Sequence, residues 1–299
     1  MKWKVFLVLS LFFSYGEIAV AETYGRTSAI YDYLPIARPS GLFACSNKIR
    51  AGLKNNRILN IAVVLGYSDL TDEHVDLVTD AFTLALLDRK LTSPCTYEHQ
   101  GFCEFKLIEG KEHQVNHYAR NLVINESEDI AVNIFTINSS YSISNTDNKT
   151  KYKTLQGNQT QTARNFYSWA QQNADMVFYE GHSRDGGGPD FSPPRPSYSG
   201  AVNYPWYRTN KPGLKFLLSA LNTAPEKPIT LGLFSCASHV HFLKPLRQAL
   251  PNAKLILSTK VVESGKTKLA LLRTLESILN FECDSDLKAR LRETSFVLN

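Results

Sequence analysis

The chain has 299 residues, 43% hydrophobic and 20% charged, with a formal net charge of +5 at pH 7. That balance excludes a largely disordered chain. The dispersed Lys and Arg, with no interleaved aromatic stripe, exclude a nucleic-acid surface.

Lys2 and Lys4 precede the apolar run Val5 to Phe13, and Ala19-Val20-Ala21 is a small-x-small cleavage signal. This is the pattern of a signal peptide over residues 1–21, with an apolar run too short for the roughly 20 residues of a membrane span. The mature chain, 299 − 21 = 278 residues, is therefore expected to be secreted or periplasmic, with no stable membrane span.

Residues 22–56 show little periodicity and carry Pro35, Pro39 and Gly41, which predicts an extended N-terminal arm ahead of an α/β domain at 57–299. Ile58 to Leu65 is an apolar, β-branched run of strand length ended by Gly66. Thr71 reads as the N-cap of a helix whose apolar face is Val75, Val78, Phe82, Ala85 and Leu86. Cys103 to Ile108 alternates like a strand, Gln114 to Leu122 reads as a helix, and Ile130 to Ile137 as a strand. Tyr141 to Gln161 is rich in Ser, Thr and Asn and reads as a long loop.

Thr162 to Asn173 then has helical spacing and Asp175 to Tyr179 is an apolar strand. The plan repeats: helix Gly213 to Leu221, strand Ile229 to Phe234, helix His241 to Leu250, strand Ala253 to Leu257, helix Lys266 to Leu279. Alternation of this kind predicts a mainly parallel sheet with helices on both faces. Such sheets bind ligands beyond the carboxyl ends of their strands.

There are five cysteines, an odd number for an oxidising compartment. Cys95 and Cys103 flank a short loop and form the natural local pair. Cys45 and Cys283 lie near the two ends and could clip them together. Cys236 remains.

Two strand ends carry reactive side chains. After Tyr179 comes Glu180-Gly181-His182-Ser183-Arg184-Asp185, and after Phe234 comes Ser235-Cys236-Ala237-Ser238-His239. The separation, 236 − 182 = 54 residues, leaves room for one helix and one strand. If the two strands are neighbours, His182 and Cys236 share one rim. A thiolate is a working nucleophile that a nearby imidazole favours, and the imidazole can protonate a leaving amine.

These two segments, Met176-Val177-Phe178-Tyr179-Glu180-Gly181-His182 and Ile229 to Ser238, resemble the strand ends of the superfamily of caspases, legumains, gingipains and separases. The run Ser235-Cys236-Ala237-Ser238 is similar to the legumain version, and the order of elements from Ile58 to Leu279 is similar too. The resemblance implies a caspase-like three-layer α/β sandwich and a cysteine peptidase acting on a peptide or protein substrate, with His182 and Cys236 catalytic. The backbone around Gly181, Ser183 and Cys236 would bind the oxyanion. It implies no cofactor and no metal. The family has Gly after its His, where this chain has Ser183.

Asp185 and Asp190 are candidates for reading a basic substrate side chain, Arg184 and Arg195 for an acidic one. The same fold without peptidase activity would act as a binding or scaffold protein. Gly181-His182-Ser183-Arg184-Asp185 also resembles a nucleophile elbow with Ser183 as nucleophile, but Gly186 to Pro189 forbids the helix that must follow. Cys236, His239, His241 and His182 do not make a usual metal-ligand spacing.

Overall fold

The computed structural model describes residues 44–55, 57–70, 76–96, 101–125 and 128–299. The chain divides into Met1–Ile36, outside these residues, and a unit spanning Ala37–Asn299. The expected signal peptide and residues 22–43 of the expected arm also lie outside them.

Residues 44–55 are not a free extended arm. They carry α1 (Ser46–Ala51), tied down by a Cys45–Cys283 disulfide and by the Cys45 N–H donating to Phe281 O at 3.0 Å. The Cys95–Cys103 bridge is also present and Cys236 is free. The local Cys95–Cys103 pair is as expected, and the Cys45–Cys283 pairing, which the sequence left open, is formed.

β1 (Ile58–Leu65) lies mid-sheet and is almost wholly buried. α2 (Asp80–Thr92) follows, then β2 (Lys106–Glu109), β3 (Asn116–Asn125) and β4 (Glu128–Asn138). Next come α3 (Asn145–Lys149), α4 (Lys153–Asn173) and β5 (Met176–Glu180). α5 (Tyr204–Asn210), α6 (Pro212–Thr223), β6 (Thr230–Phe234), α7 (Ser238–Ala249) and β7 (Lys254–Ser258) continue the alternation. α8 (Ser264–Leu279), α9 (Asp284–Leu291) and β8 (Phe296–Leu298) complete the fold.

The strands form one sheet in the order β2-β3-β4-β1-β5-β6-β7-β8. The pairings β4–β1, β1–β5, β5–β6 and β6–β7 are parallel. Those of β2–β3, β3–β4 and β7–β8 are antiparallel, so the sheet is mixed. One source of the difference is the segment Gln114 to Leu122, expected as a helix. From Asn116 on it belongs to the strand β3, and only two residues separate β3 from β4, too few for the crossover a parallel neighbour needs.

Apolar residues on alternate positions serve two cores. Ala62, Val64, Val177, Tyr179, Leu231 and Leu233 face α4, α6 and α7. Thr267 of α8 bonds Glu180, which alternates with Tyr179, so α8 covers the other face, and α2 packs on β1 and β4.

Two further expectations need correction. α2 starts at Asp80, not after Thr71, which with Val75 lies outside the described residues; Val78 instead makes an isolated bridge to Asp69. The segment Tyr141 to Gln161 is not a loop, because α3 and the first turns of α4 occupy it. Its polar residues turn inward: Gln156 Nε2 donates to Ser139 O at 2.8 Å and Gln159 Nε2 to Asn138 O at 2.6 Å. They satisfy the carboxyl end of β4, so a buried helix face has the composition of a loop.

Asp80 holds the same strand end. Its carboxylate accepts from the Ser139 and Ser140 amides at 2.9 and 2.7 Å and from Ser140 Oγ at 2.6 Å. Complete burial nonetheless pushes its pKa up to about 6, against the pull of these bonds. Because the folded value lies above the unfolded one, the associated stability is fully present below about pH 4 and is lost as pH rises through about 6. The difference is on the order of 3 kcal/mol. The side-chain carboxyl 13C signal of Asp80 is expected to titrate near pH 6; a midpoint near 4 would contradict this.

Candidate active site

His182 and Cys236 leave two neighbouring strands on the same rim. Glu180 pairs with Phe234 in the parallel β5–β6 register, and each reactive residue stands two positions beyond its member of that pair. The Gly181 N–H donates to Phe234 O at 3.2 Å, closing the ladder just before the site. Gly181 has φ +156°, and a Cβ there would stand 2.6 Å from Tyr179 Oη and 3.1 Å from Gly66 Cα. Only glycine fits.

His182 is aimed by the loop after β1. Its Nε2 lies 3.1 Å from Asp69 O and 3.3 Å from Asp69 Oδ1. Both oxygens can only accept, so Nε2 carries the proton and Nδ1 is the remaining basic nitrogen. The Tyr179 hydroxyl lies 3.0 Å from His182 O and accepts from the Asp190 N–H at 2.9 Å. It thereby fixes the backbone on both sides of the intervening turn.

Arg184 is almost wholly buried and has φ +45°, followed by Asp185 at +54°. Its Nη2 donates to Asp69 Oδ1 at 2.6 Å and its Nε to Asp190 Oδ2 at 3.0 Å. Burial raises the Asp69 pKa, but the His182 hydrogen bond and the Arg184 charge outweigh it and hold the carboxyl well below the usual range. Burial lowers the Arg184 pKa, but Asp190 and Asp69 raise it beyond its ordinary value.

Cys236 is half-buried and its thiol donates to Val262 O at 3.1 Å. It occupies a strand–turn–helix: β6, then Ala237 at φ +48°, then α7. Two serines pin this turn to β7. The Ser238 N–H donates to Ser258 Oγ at 3.0 Å and the Ser258 N–H to Ser238 Oγ at 2.7 Å. Ser258 Oγ also donates to Ser235 O at 2.6 Å.

The strand ends are together, but the two side chains are held by separate partners. The imidazole contacts the loop after β1 and the thiol the loop between β7 and α8. Among the described residues, the amides of Ser183 and Cys236 have no acceptor, whereas that of Gly181 is engaged. Comparison with protein-family models, curated proteins and solved structures returns no match.

The other candidates fall elsewhere. Ser183 is buried, and after it comes one 3-10 turn, Arg184–Gly186, with no helix before Tyr204. That is not the path of a nucleophile elbow. Asp185 pairs with Arg208 at 2.7 Å and lies 3.6 Å from His241 Nε2. Arg195 stacks over Trp206 at 4.6 Å. Arg184 and Asp190 are bonded to each other inside the protein.

Among the described residues, no three His, Cys, Asp or Glu side chains converge on a metal position, and no helix is long and apolar enough to cross a membrane. A cavity of about 1310 Å³ opens beside Asp69, lined also by Lys153, Thr160, Ser192, Pro193 and Tyr204. Sequence reasoning missed Asp69 and the Ser238–Ser258 clasp. Asp69 follows shortly after the end of β1, which was its one available signal.

Proposed function

We propose that the protein is an exported cysteine peptidase of caspase-like architecture, with Cys236 as nucleophile and His182 as acid and base. The observation that carries this reading is the placement of His182 and Cys236 at matching positions past two adjacent parallel strands. The parallel run β4-β1-β5-β6-β7, covered by helices, supports the caspase-like assignment. Two disulfides support export.

A peptide lying across the ends of β5 and β6 presents its scissile carbonyl to both groups. The Cys236 thiol gives its proton to His182 Nδ1, and the thiolate attacks the carbonyl carbon. The amides of Ser183 and Cys236 are the donors available to the resulting oxyanion. The tetrahedral adduct collapses, the C–N bond breaks, and the imidazolium returns the proton to the leaving amine. Water then attacks the thioester, giving one proton to Nδ1, and the carboxylic product leaves as Cys236 is restored. Asp69 keeps Nε2 occupied throughout, so the proton traffic runs through Nδ1.

The hydrogen bond from the thiol to Val262 O favours a second reading, a binding or scaffold protein with an inert Cys236. Thiol-directed peptide probes separate the two. Probes with varied end residues are expected to label Cys236, and His182→Ala is expected to suppress labelling. Labelling no faster than that of the denatured chain would favour the scaffold.

A further inference from the structure

We propose that Arg184 is a positioning residue for His182. The inference deepens the peptidase reading and rests on it for its kinetic arm alone. The Arg184 side chain has no solvent exposure and its two ion pairs join separate segments, Asp69 past β1 and Asp190 in its own loop. It cannot read a substrate. It can only hold what it touches, and one of those groups holds the imidazole.

The position is costly to the chain. Arg184 and Asp185 are consecutive non-glycine residues in the left-handed region, where L side chains meet their own backbone. Nη1 of Arg184 is buried with no hydrogen-bond partner, a penalty of its own. Both features follow if the guanidinium is placed to span two carboxylates rather than to satisfy its own donors. The left-handed turn begins two residues after His182, so the segment that delivers the imidazole also delivers its brace.

The brace decides which partner His182 has. Asp69 Oδ1 is 2.6 Å from Arg184 Nη2 and 3.3 Å from His182 Nε2, so the guanidinium, the closer donor, holds the carboxylate. The shorter contact of Nε2 is then to the neutral carbonyl Asp69 O, at 3.1 Å. With the guanidinium gone, the Asp69 carboxylate is free to turn fully onto the imidazole or away from it, and Nε2–H is no longer held by a fixed pair of acceptors. Asp190 completes the brace. Its carboxylate accepts from Tyr207 Oη at 3.2 Å and from Ser192 Oγ at 3.1 Å, which ties the far end to α5 and to the wall of the cavity beside Asp69.

The test is Arg184→Lys, which keeps the charge but cannot span both carboxylates. The imidazole 15N signals of His182 are assigned by their absence in His182→Ala. In the wild type they are expected to report one tautomer, Nε2–H; in Arg184→Lys, a mixture. Peptide hydrolysis is expected to fall roughly 10–100-fold in kcat, with KM nearly unchanged, as for a misplaced catalytic group.

If Arg184→Lys does not fold, Asp190→Asn loosens the same brace from its other end and is read the same way, with a smaller effect. A variant that folds and keeps both the single tautomer and the wild-type kcat overturns the proposal. If the wild type hydrolyses no peptide, the peptidase reading fails, and the tautomer measurement alone still decides whether Arg184 positions His182.

Discussion

Cys236→Ala is expected to abolish peptide hydrolysis, a loss of roughly 10⁴-fold or more if the enzyme acts through this nucleophile. Cys236 carries the free thiol of the chain, and the flanking Ser235 and Ser238 hydroxyls are buried. The substitution removes one hydrogen bond, to Val262 O, worth about 1 kcal/mol, from a half-buried turn that Ser238 and Ser258 hold independently. The fold should therefore be unchanged by circular dichroism. His182→Ala is expected to be nearly as damaging, because members of one catalytic unit are not additive. It leaves Asp69 paired with Arg184, so it also leaves the fold. If the wild type cleaves and Cys236→Ala keeps its full rate, the nucleophile has been misassigned.

The sequence shows clearly where periodicity and burial agree. The apolar run Ile58 to Leu65 and the short strands ending at Tyr179 and Phe234 are buried on both faces, so each reads as continuous hydrophobicity and each is a strand. Legibility fails where tertiary contacts override local composition. Gln156 and Gln159 lie on a buried helix face because β4 ends there with carbonyls to satisfy; in the sequence they look like loop. Gln114 to Leu122 has no distinctive period, and only its pairing with β4 makes it a strand. At the site, His182 and Cys236 were visible because each follows an apolar run. Arg184 was visible as a charge but not as a buried one, since its environment is built by Asp69, more than a hundred residues earlier. A long-range ion pair leaves no local pattern to read.

The Cys45–Cys283 bridge should matter more to stability than the Cys95–Cys103 bridge, and not at all to catalysis. The two close loops of very different length, with sequence separations of 238 and 8. Loop-closure entropy puts the long bridge at the upper end of the measured range, about 5 kcal/mol, and the short one at about 2–3 kcal/mol. Cys283 is also the residue at the N-terminus of α9, where its N–H donates to Asp286 Oδ2 at 3.2 Å. The Asp284 carboxylate beside it pairs with Lys48 and with Lys254, the first residue of β7. The long bridge thus clips α1 to the amino rim of the parallel strands, whereas His182 and Cys236 stand past the carboxyl rim. Replacing both Cys45 and Cys283 by Ala is expected to lower Tm by roughly 10 °C. At a temperature where the variant remains folded, kcat should be that of the parent, because distant sites act independently. The Cys95→Ala, Cys103→Ala double variant should lose less. Thermal melts of the two variants, with hydrolysis measured well below both transitions, decide the matter: a larger Tm loss for the short bridge, or a lowered kcat in the folded Cys45–Cys283 variant, would contradict the division between the two rims.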